Sequence, residues 1–341
     1  PVGLVAIVQG MVWAIRRSME RGPELSIGEA AKRVDQLDLS YDSANNVWTD
    51  SVVRSDGRMV ARKEAKELAA NLVAYFIGAE FMSDDEIDEI GKKIEARGLK
   101  HMIVSAGSPF KSIDLTTLSV DSFEDDEDFQ KDFSDMVRSM EIANRLGVSA
   151  VSVYSFAWPG EYTAEKPTWP MRWTTRGGII SDVEMDKLEK AYTLMVEQAE
   201  KYNVDLVLSM MPWNYTNTTG NFRKVAERIS SDRIKVMWGP ADNYNCGESD
   251  VFTAGFLNVK PYIHSIHSKD LRVNNGIALD FDYLPFGEGQ TDYATVFRSL
   301  RDNNLDPVVS ISTHWTPPNG SRVDAMRTQV ANVFSLIESL D

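Results

Sequence analysis

Apolar runs of strand length alternate with amphipathic helical runs along almost the whole chain, and this alternation limits the fold more than any other feature. Eight runs read as strands: residues 3–8, 36–40, 101–105, 150–155, 205–209, 234–238, 262–267 and 308–312. Helix starts are legible between them. Ser26, Ser83 and Ser181 each stand three residues before a glutamate (Glu29, Glu86 and Glu184), the spacing of a capping box. The last helix is expected from near Ser321 to Leu340. Eight strand–helix units predict an α/β fold of the (β/α)8 TIM barrel type, with one domain over residues 1–341. A doubly wound open sheet is the rival, but no Gly-x-Gly-x-x-Gly turn follows the first run. Long loops at 42–60, 108–126 and 157–178 are expected to wall the face where the strands end.

Composition narrows the partners. A chain of 341 residues that is 43% hydrophobic can bury a large core. Its formal net charge is −15 and it has no dense Lys/Arg run, which argues against nucleic-acid or anionic-membrane partners. A single cysteine, Cys246, excludes an internal disulfide framework and a multi-cysteine metal site, and fits a reducing, cytoplasmic setting. The apolar opening, residues 2–15, lacks a preceding basic region and reads as a first strand running into a helix.

The polar groups gather where the strands end. Tyr262-Ile-His-Ser-Ile-His-Ser-Lys-Asp270 holds two of the chain's four histidines. Strand alternation places Ser265, His267 and Lys269 on one face and His264 and Ser268 on the other. Other strand ends carry Tyr154, Trp158 and Glu161; Ser209, Met211 and Trp213; Trp238, Asp242 and Asn243; and Ser312, His314 and Trp315. Tryptophans beside short polar groups suit a polyhydroxylated ligand, whose C–H faces stack while its hydroxyls take directed hydrogen bonds. The same rings serve equally well as caps on a barrel core. Lys269 and Asp270 are also readable as a structural pair.

Ile266-His-Ser-Lys-Asp270, then Leu284-Pro-Phe-Gly-Glu-Gly289 and Asp292-Tyr293, resemble the His-x-Lys-Asp and Pro-x-Gly-Glu-Gly signature of the sugar phosphate isomerase/epimerase superfamily. Met237-Trp-Gly-Pro-Ala-Asp242 and Val308-Val-Ser-Ile-Ser-Thr-His-Trp315 resemble its sixth and eighth strand ends. These xylose isomerase-like barrels include ketose 3-epimerases, hydroxypyruvate isomerases and, more distantly, AP endonucleases. The resemblance implies one divalent metal (Mn, Mg, Co or Zn) held by carboxylates after strands five, six and eight and by a histidine after strand seven. Here those positions are Ser209, Gly239, His267 and Ser312, so only the histidine is kept. One imidazole and two neutral hydroxyls are a poor site for a hard divalent cation.

The resemblance therefore implies a sugar isomerase/epimerase-like enzyme acting on a carbohydrate or sugar-derived small molecule by metal-independent proton transfer. The candidate proton carriers are His267, Asp242, His314, Glu161 and Lys269. The candidate substrate contacts are Tyr154, Trp158, Ser209, Trp213, Trp238, Ser312 and Trp315. Two alternatives stand beside it: a pseudoenzyme that binds a sugar-like ligand or a partner, and a metal-dependent isomerase or lyase using Asp242, His267 and His314. Homo-oligomerisation is left open, and an AP endonuclease role is opposed by the acidic balance.

Overall fold

The apolar opening forms a helix, α1 (Val2–Arg21), and no strand over residues 3–8. Fourteen residues of nearly unbroken apolar character look alike in either periodicity, and the run is too long for one strand. The structure is a computed structural model that describes residues 2–21, 25–35, 70, 82–96, 98–105, 110–111, 113–158, 178–275 and 280–340. The expected strand at 36–40, most of the loops at 42–60 and 157–178, and Glu161 lie outside these residues.

The chain divides into two compact units, residues 1–99 with 316–325 and residues 100–315 with 326–341. In the first unit, α1 is followed by α2 (Ile27–Asp35) and α3 (Asp84–Glu95). Ser83 and Glu86 form the expected capping box on α3, and Glu86 also pairs with Arg17 of α1. The start of α2 has the serine half of the expected motif, the Glu29 amide donating to Ser26 Oγ at 3.1 Å.

The second unit carries a six-stranded, wholly parallel sheet in chain order: β1 (Val104–Ser105), β2 (Ala150–Tyr154), β3 (Asp205–Ser209), β4 (Ile234–Trp238), β5 (Ile263–Ser268) and β8 (Val308–Ile311). Helices lie between successive strands: α4 (Glu127–Arg145), α5 (Asp182–Tyr202), α6 (Thr219–Ile229), the short α7 (Pro240–Asn245) and α8 (Phe256–Val259), and α9 (Tyr293–Asp302). The chain closes with α10 (Arg322–Glu338). Sequential parallel strands with a helix in each crossover make the α/β barrel-type sheet that the alternation predicts. An antiparallel hairpin, β6 (Asp270–Asn275) and β7 (Asp280–Leu284), grows from the end of β5 and was not anticipated.

Strand parity sorts the side chains. Val153, Leu208, Val236, Trp238 and Ile266 join Met195, Phe222 and Phe256 in the hydrophobic cluster shared with the helices. On the other face Tyr154, Ser209, Met237 and Ser265 stand side by side in register. A register shift between Val236 and Met237 sets β5 against β4 so that Ser265, and with it His267, joins that row. In β8 the register partner of His267 is Ser310.

Candidate functional site

His267 stands one residue before the end of β5 on this inner face, and Asp242 reaches it from the first turn of α7. Gly239 precedes that helix and Pro240 fills its first position, where the missing N–H costs nothing. Asp242 is buried and makes a 2.8 Å ion pair through Oδ1 with the Lys269 ammonium, which is buried too. Its Oδ2 has no hydrogen-bond partner and lies 3.9 Å from His267 Nδ1, too far for a direct bond. Burial raises the Asp242 carboxyl pKa, and Lys269 offsets part of that rise. Burial, helped by the charges of Lys269 and His314, lowers the His267 imidazole to about 3. His267 is therefore neutral at ordinary pH and offers one donor and one acceptor nitrogen.

The backbone of Lys269 is pinned by one phenol. Tyr293 donates its hydroxyl to the Lys269 carbonyl at 2.7 Å and accepts from the Lys269 amide at 3.0 Å. Asp270 is not the partner of Lys269. Its carboxylate accepts from the amides of Gly287 and Gly289 at 2.9 Å and of Thr291 at 3.2 Å. A Cβ on Gly289 would collide with the Asp270 carboxylate, and Gly287 has a φ of +87°, so both glycines of the Pro-Phe-Gly-Glu-Gly run are needed for the wrap. This part of the signature is structural.

The hairpin adds a residue that sequence reasoning missed. Tyr283 on β7 stacks on the exposed His314 ring, centroids 4.6 Å apart at 26°, and burial together with the Asp242 charge raises its phenol pKa, so it keeps its proton. The Asn275-Gly276 step between Leu271/Val273 and Phe281/Tyr283 is a hairpin signal that was available. A second missed residue is Lys111, whose ammonium lies 3.8 Å from the centre of the Tyr154 ring and 5.9 Å from that of Trp213. Burial lowers it to about 8. No local pattern around Pro109-Phe110-Lys111 marks it.

Two of the tryptophans expected to contact substrate are core residues. Trp238 is fully buried against Phe256 and donates Nε1 to Asn243 Oδ1 at 3.1 Å. Trp158 packs on Tyr215, centroids 4.2 Å apart, within the same hydrophobic cluster. Trp238 falls on the helix-layer side of β4 and Trp158, beyond the end of β2, turns into the same cluster, which the count of strand ends did not register. Trp213 and Trp315 are only partly buried, and Trp213 lies beside Lys111 and Tyr154. Ser209 is buried, its carbonyl accepting from Asn214 and Thr216 at 3.3 Å. The Ser312 amide donates to the Ser268 carbonyl at 3.0 Å, which continues the β5–β8 ladder to the position after the strand.

The donor set does not fit a divalent cation. Ser209, Gly239 and Ser312 supply no carboxylate, Asp242 has one oxygen committed to an ammonium, and among the described residues no three His, Cys, Asp or Glu side chains gather. The rearranged set of Asp242, His267 and His314 is not assembled as a ligand sphere.

An α/β barrel with its polar groups where the strands end is the class that fold and site define. The family follows from the sequence: a model described as xylose isomerase-like TIM barrel matches residues 63–331, and the chain belongs to that family. A xylose isomerase-like TIM barrel protein from Mycobacterium smegmatis, in complex with magnesium, is similar at 16% identity and TM-score 0.56, over 77% of this chain and 81% of that one. The IOLI protein, with a bound zinc atom, is similar at 15% identity and TM-score 0.56, over 75% of this chain and 82% of that one. The 3-keto-D-glucoside 4-epimerase from E. coli is similar at 16% identity and TM-score 0.54, over 74% of this chain and 85% of that one. No curated protein matches the chain. Among the described residues no helix is long and apolar enough to cross a membrane.

Proposed function

We propose that this protein is an isomerase or epimerase-like enzyme acting on a carbohydrate or sugar-derived small molecule by proton transfer without a metal. The observation that carries the reading is the bare Oδ2 of Asp242, buried without a hydrogen-bond partner and 3.9 Å from a neutral imidazole. A buried carboxylate with a raised pKa and a free lone pair is a better base than an ordinary one. Asp242 takes a proton from a carbon next to the ligand's carbonyl, the electron pair moves onto the carbonyl oxygen, and the proton returns to the same or the neighbouring carbon. His267, at about 3, is a weak base and serves as a neutral hydrogen-bonding partner of the ligand. We assign to Tyr283, which keeps its proton and stacks on His314, the second proton donor that epimerisation requires. The epimerase among the similar structures is in keeping with this class of reaction. The chain's net charge of −15 favours a small-molecule ligand over nucleic acid.

The test is exchange of ligand C–H protons in heavy water, over ketoses, aldoses and their 3-keto and phosphate derivatives. Asp242→Asn should lower exchange by about a hundredfold or more. His267→Asn should lower it less if the imidazole only positions the ligand. A ligand that binds measurably yet exchanges no proton points to the second reading, a binding protein. The serines at 209 and 312 favour that reading, since the resemblance assigns the family's proton-shuttling glutamates to those positions.

A further inference from the structure

A carboxylate persists in this site even though position 239 has lost its own. A Cβ built on Gly239 falls 2.6 Å from Asp242 Oδ2, so the Asp242 carboxylate occupies the space a side chain at 239 would enter. From one turn further along, Asp242 fills the space that the absent side chain leaves.

We infer that the ion pair of Asp242 with Lys269 takes the place of the divalent cation in this barrel, holding the site closed to metal and presenting a fixed ammonium to the ligand's carbonyl oxygen. The inference deepens the function proposed above and rests on it for the identity of the ligand. Three observations support it. The ammonium is buried and 2.8 Å from the carboxylate that, among the described residues, stands beside His267, so an arriving cation has to displace it and then finds that carboxylate and one imidazole. Tyr293 holds both the amide and the carbonyl of Lys269, which fixes the point from which the buried side chain reaches Asp242. One N–H of the ammonium faces Oδ1, which leaves donors for an oxygen of the ligand, while Oδ2 stays open to the C–H beside that oxygen's carbonyl. A C–H for Asp242 and the adjacent carbonyl oxygen for Lys269 describe a carbonyl compound with a proton on the neighbouring carbon. Negative charge developing on that carbonyl oxygen is then met by a preorganised cation of the chain's own.

A lysine at 269 also belongs to the signature the chain shares with its family, so the lysine alone does not distinguish this site. The difference lies in the carboxylates around it. With Ser209, Gly239 and Ser312 at the other three positions, Lys269 neutralises the one that remains.

The experiment is a Mn2+ titration followed by electron paramagnetic resonance on wild type, Lys269→Met, Lys269→Arg and the double variant Lys269→Met/Asp242→Asn, each checked for folding by circular dichroism. Lys269→Met should bind Mn2+ about tenfold or more tightly than wild type, and adding Asp242→Asn should abolish the gain. Equal binding by wild type and a folded Lys269→Met overturns the inference. Should Lys269→Met fail to fold, wild type and Lys269→Arg decide: neither should bind Mn2+ saturably, and saturable binding that His267→Asn removes from either one overturns the inference. The two proposals fail separately. A Mn2+ gain in Lys269→Met, with no proton exchange by wild type, leaves the ion pair standing and sinks the enzymatic reading. Proton exchange by wild type with Mn2+ held at His267 does the reverse.

Discussion

Gly239→Ala tests the packing on which the site depends with the smallest possible change. The new Cβ meets Asp242 Oδ2 at 2.6 Å, whereas real Cβ atoms keep 3.0 Å or more, so the carboxylate has to retreat by about 0.4 Å at least. A carboxylate oxygen is the far end of a side chain and in water would swing away at little cost. Here it is buried and its other oxygen is tied to Lys269 at 2.8 Å, so the retreat strains or lengthens a buried ion pair. Backbone strain does not contribute, since Gly239 has φ −109°, which alanine adopts freely. Loss of glycine at the position before α7 costs only a few tenths of a kcal/mol. Removing a partner from a buried pair costs about 3–5 kcal/mol and crowding a packed site about 1–3 kcal/mol. A partial displacement belongs to the lower range, so Gly239→Ala should destabilise by about 2 kcal/mol. The assay is urea unfolding in a double-mutant cycle with Asp242→Ala. Once the carboxylate is gone, the nearest remaining atom of that side chain is Cβ of residue 242 at 3.6 Å, and Gly239→Ala should cost almost nothing. A Gly239→Ala cost below about 0.5 kcal/mol, or the same cost in both backgrounds, would refute the reasoning.

Acid should destabilise the protein through His267. Its folded pKa of about 3 lies below the unfolded value of 6.5, so the unfolded state binds more protons in that window, and stability falls as pH drops from 6.5 toward 3. The loss should reach the order of 3 kcal/mol by pH 4; His267→Asn should flatten the profile, and an unchanged profile would remove the imidazole as its source. Asp242 acts in the opposite sense. Its raised folded pKa gives stability that is present below 3.8 and fades as pH rises through the folded value, so Asp242→Asn should steepen the net fall toward acid. Trp238→Phe should cost about 1–3 kcal/mol in stability by stranding Asn243 Oδ1, with ligand affinity unchanged; a drop in affinity at constant stability would put the ring back in the pocket. Restoring a metal site should need four changes. Ser209→Glu, Gly239→Asp and Ser312→Glu should bind Mn2+ tightly only when Asp242→Ala clears the space, and tight binding by the triple variant alone would refute the steric argument.

The barrel strands were legible because a buried parallel strand is a short apolar run with sharp ends. Asp205–Ser209 and Ile234–Trp238 appear where they were expected, and β2, β5 and β8 within a residue at either end. The expected strand at 101–105 survives only as Val104–Ser105, since β2 offers register partners to just those two residues. The opening run failed for the opposite reason, its apolar character being too continuous to show a period. The tryptophans were misplaced because nearness to a strand end does not fix a direction. Knowing that Trp158 and Trp238 lie near strand ends says nothing of which face they take, and in β4 the alternation of Ile234, Val236 and Trp238 sends the indole to the helix layer.

The site itself was legible in its residues and not in its pairings. His267, Asp242 and Lys269 were all named from the sequence, yet Lys269 was read beside its chain neighbour Asp270 when its partner is Asp242, 27 residues earlier. Adjacent residues on a strand point to opposite faces, so a strand-end Lys-Asp pair is a poor candidate for an ion pair, and the two side chains take separate tasks. Asp270 turns to the Gly287–Gly289 amides and shapes the loop that follows the hairpin. Lys269 turns inward to the carboxylate beside His267. The resemblance implies acids at 209, 239 and 312, where this chain has Ser209, Gly239 and Ser312. Volume gives another account, because the glycine at 239 is what lets the carboxylate from 242 stand in its space. A side chain at 239 and the Asp242 carboxylate compete for one space, and the charge that Asp242 brings there is the one that Lys269 balances.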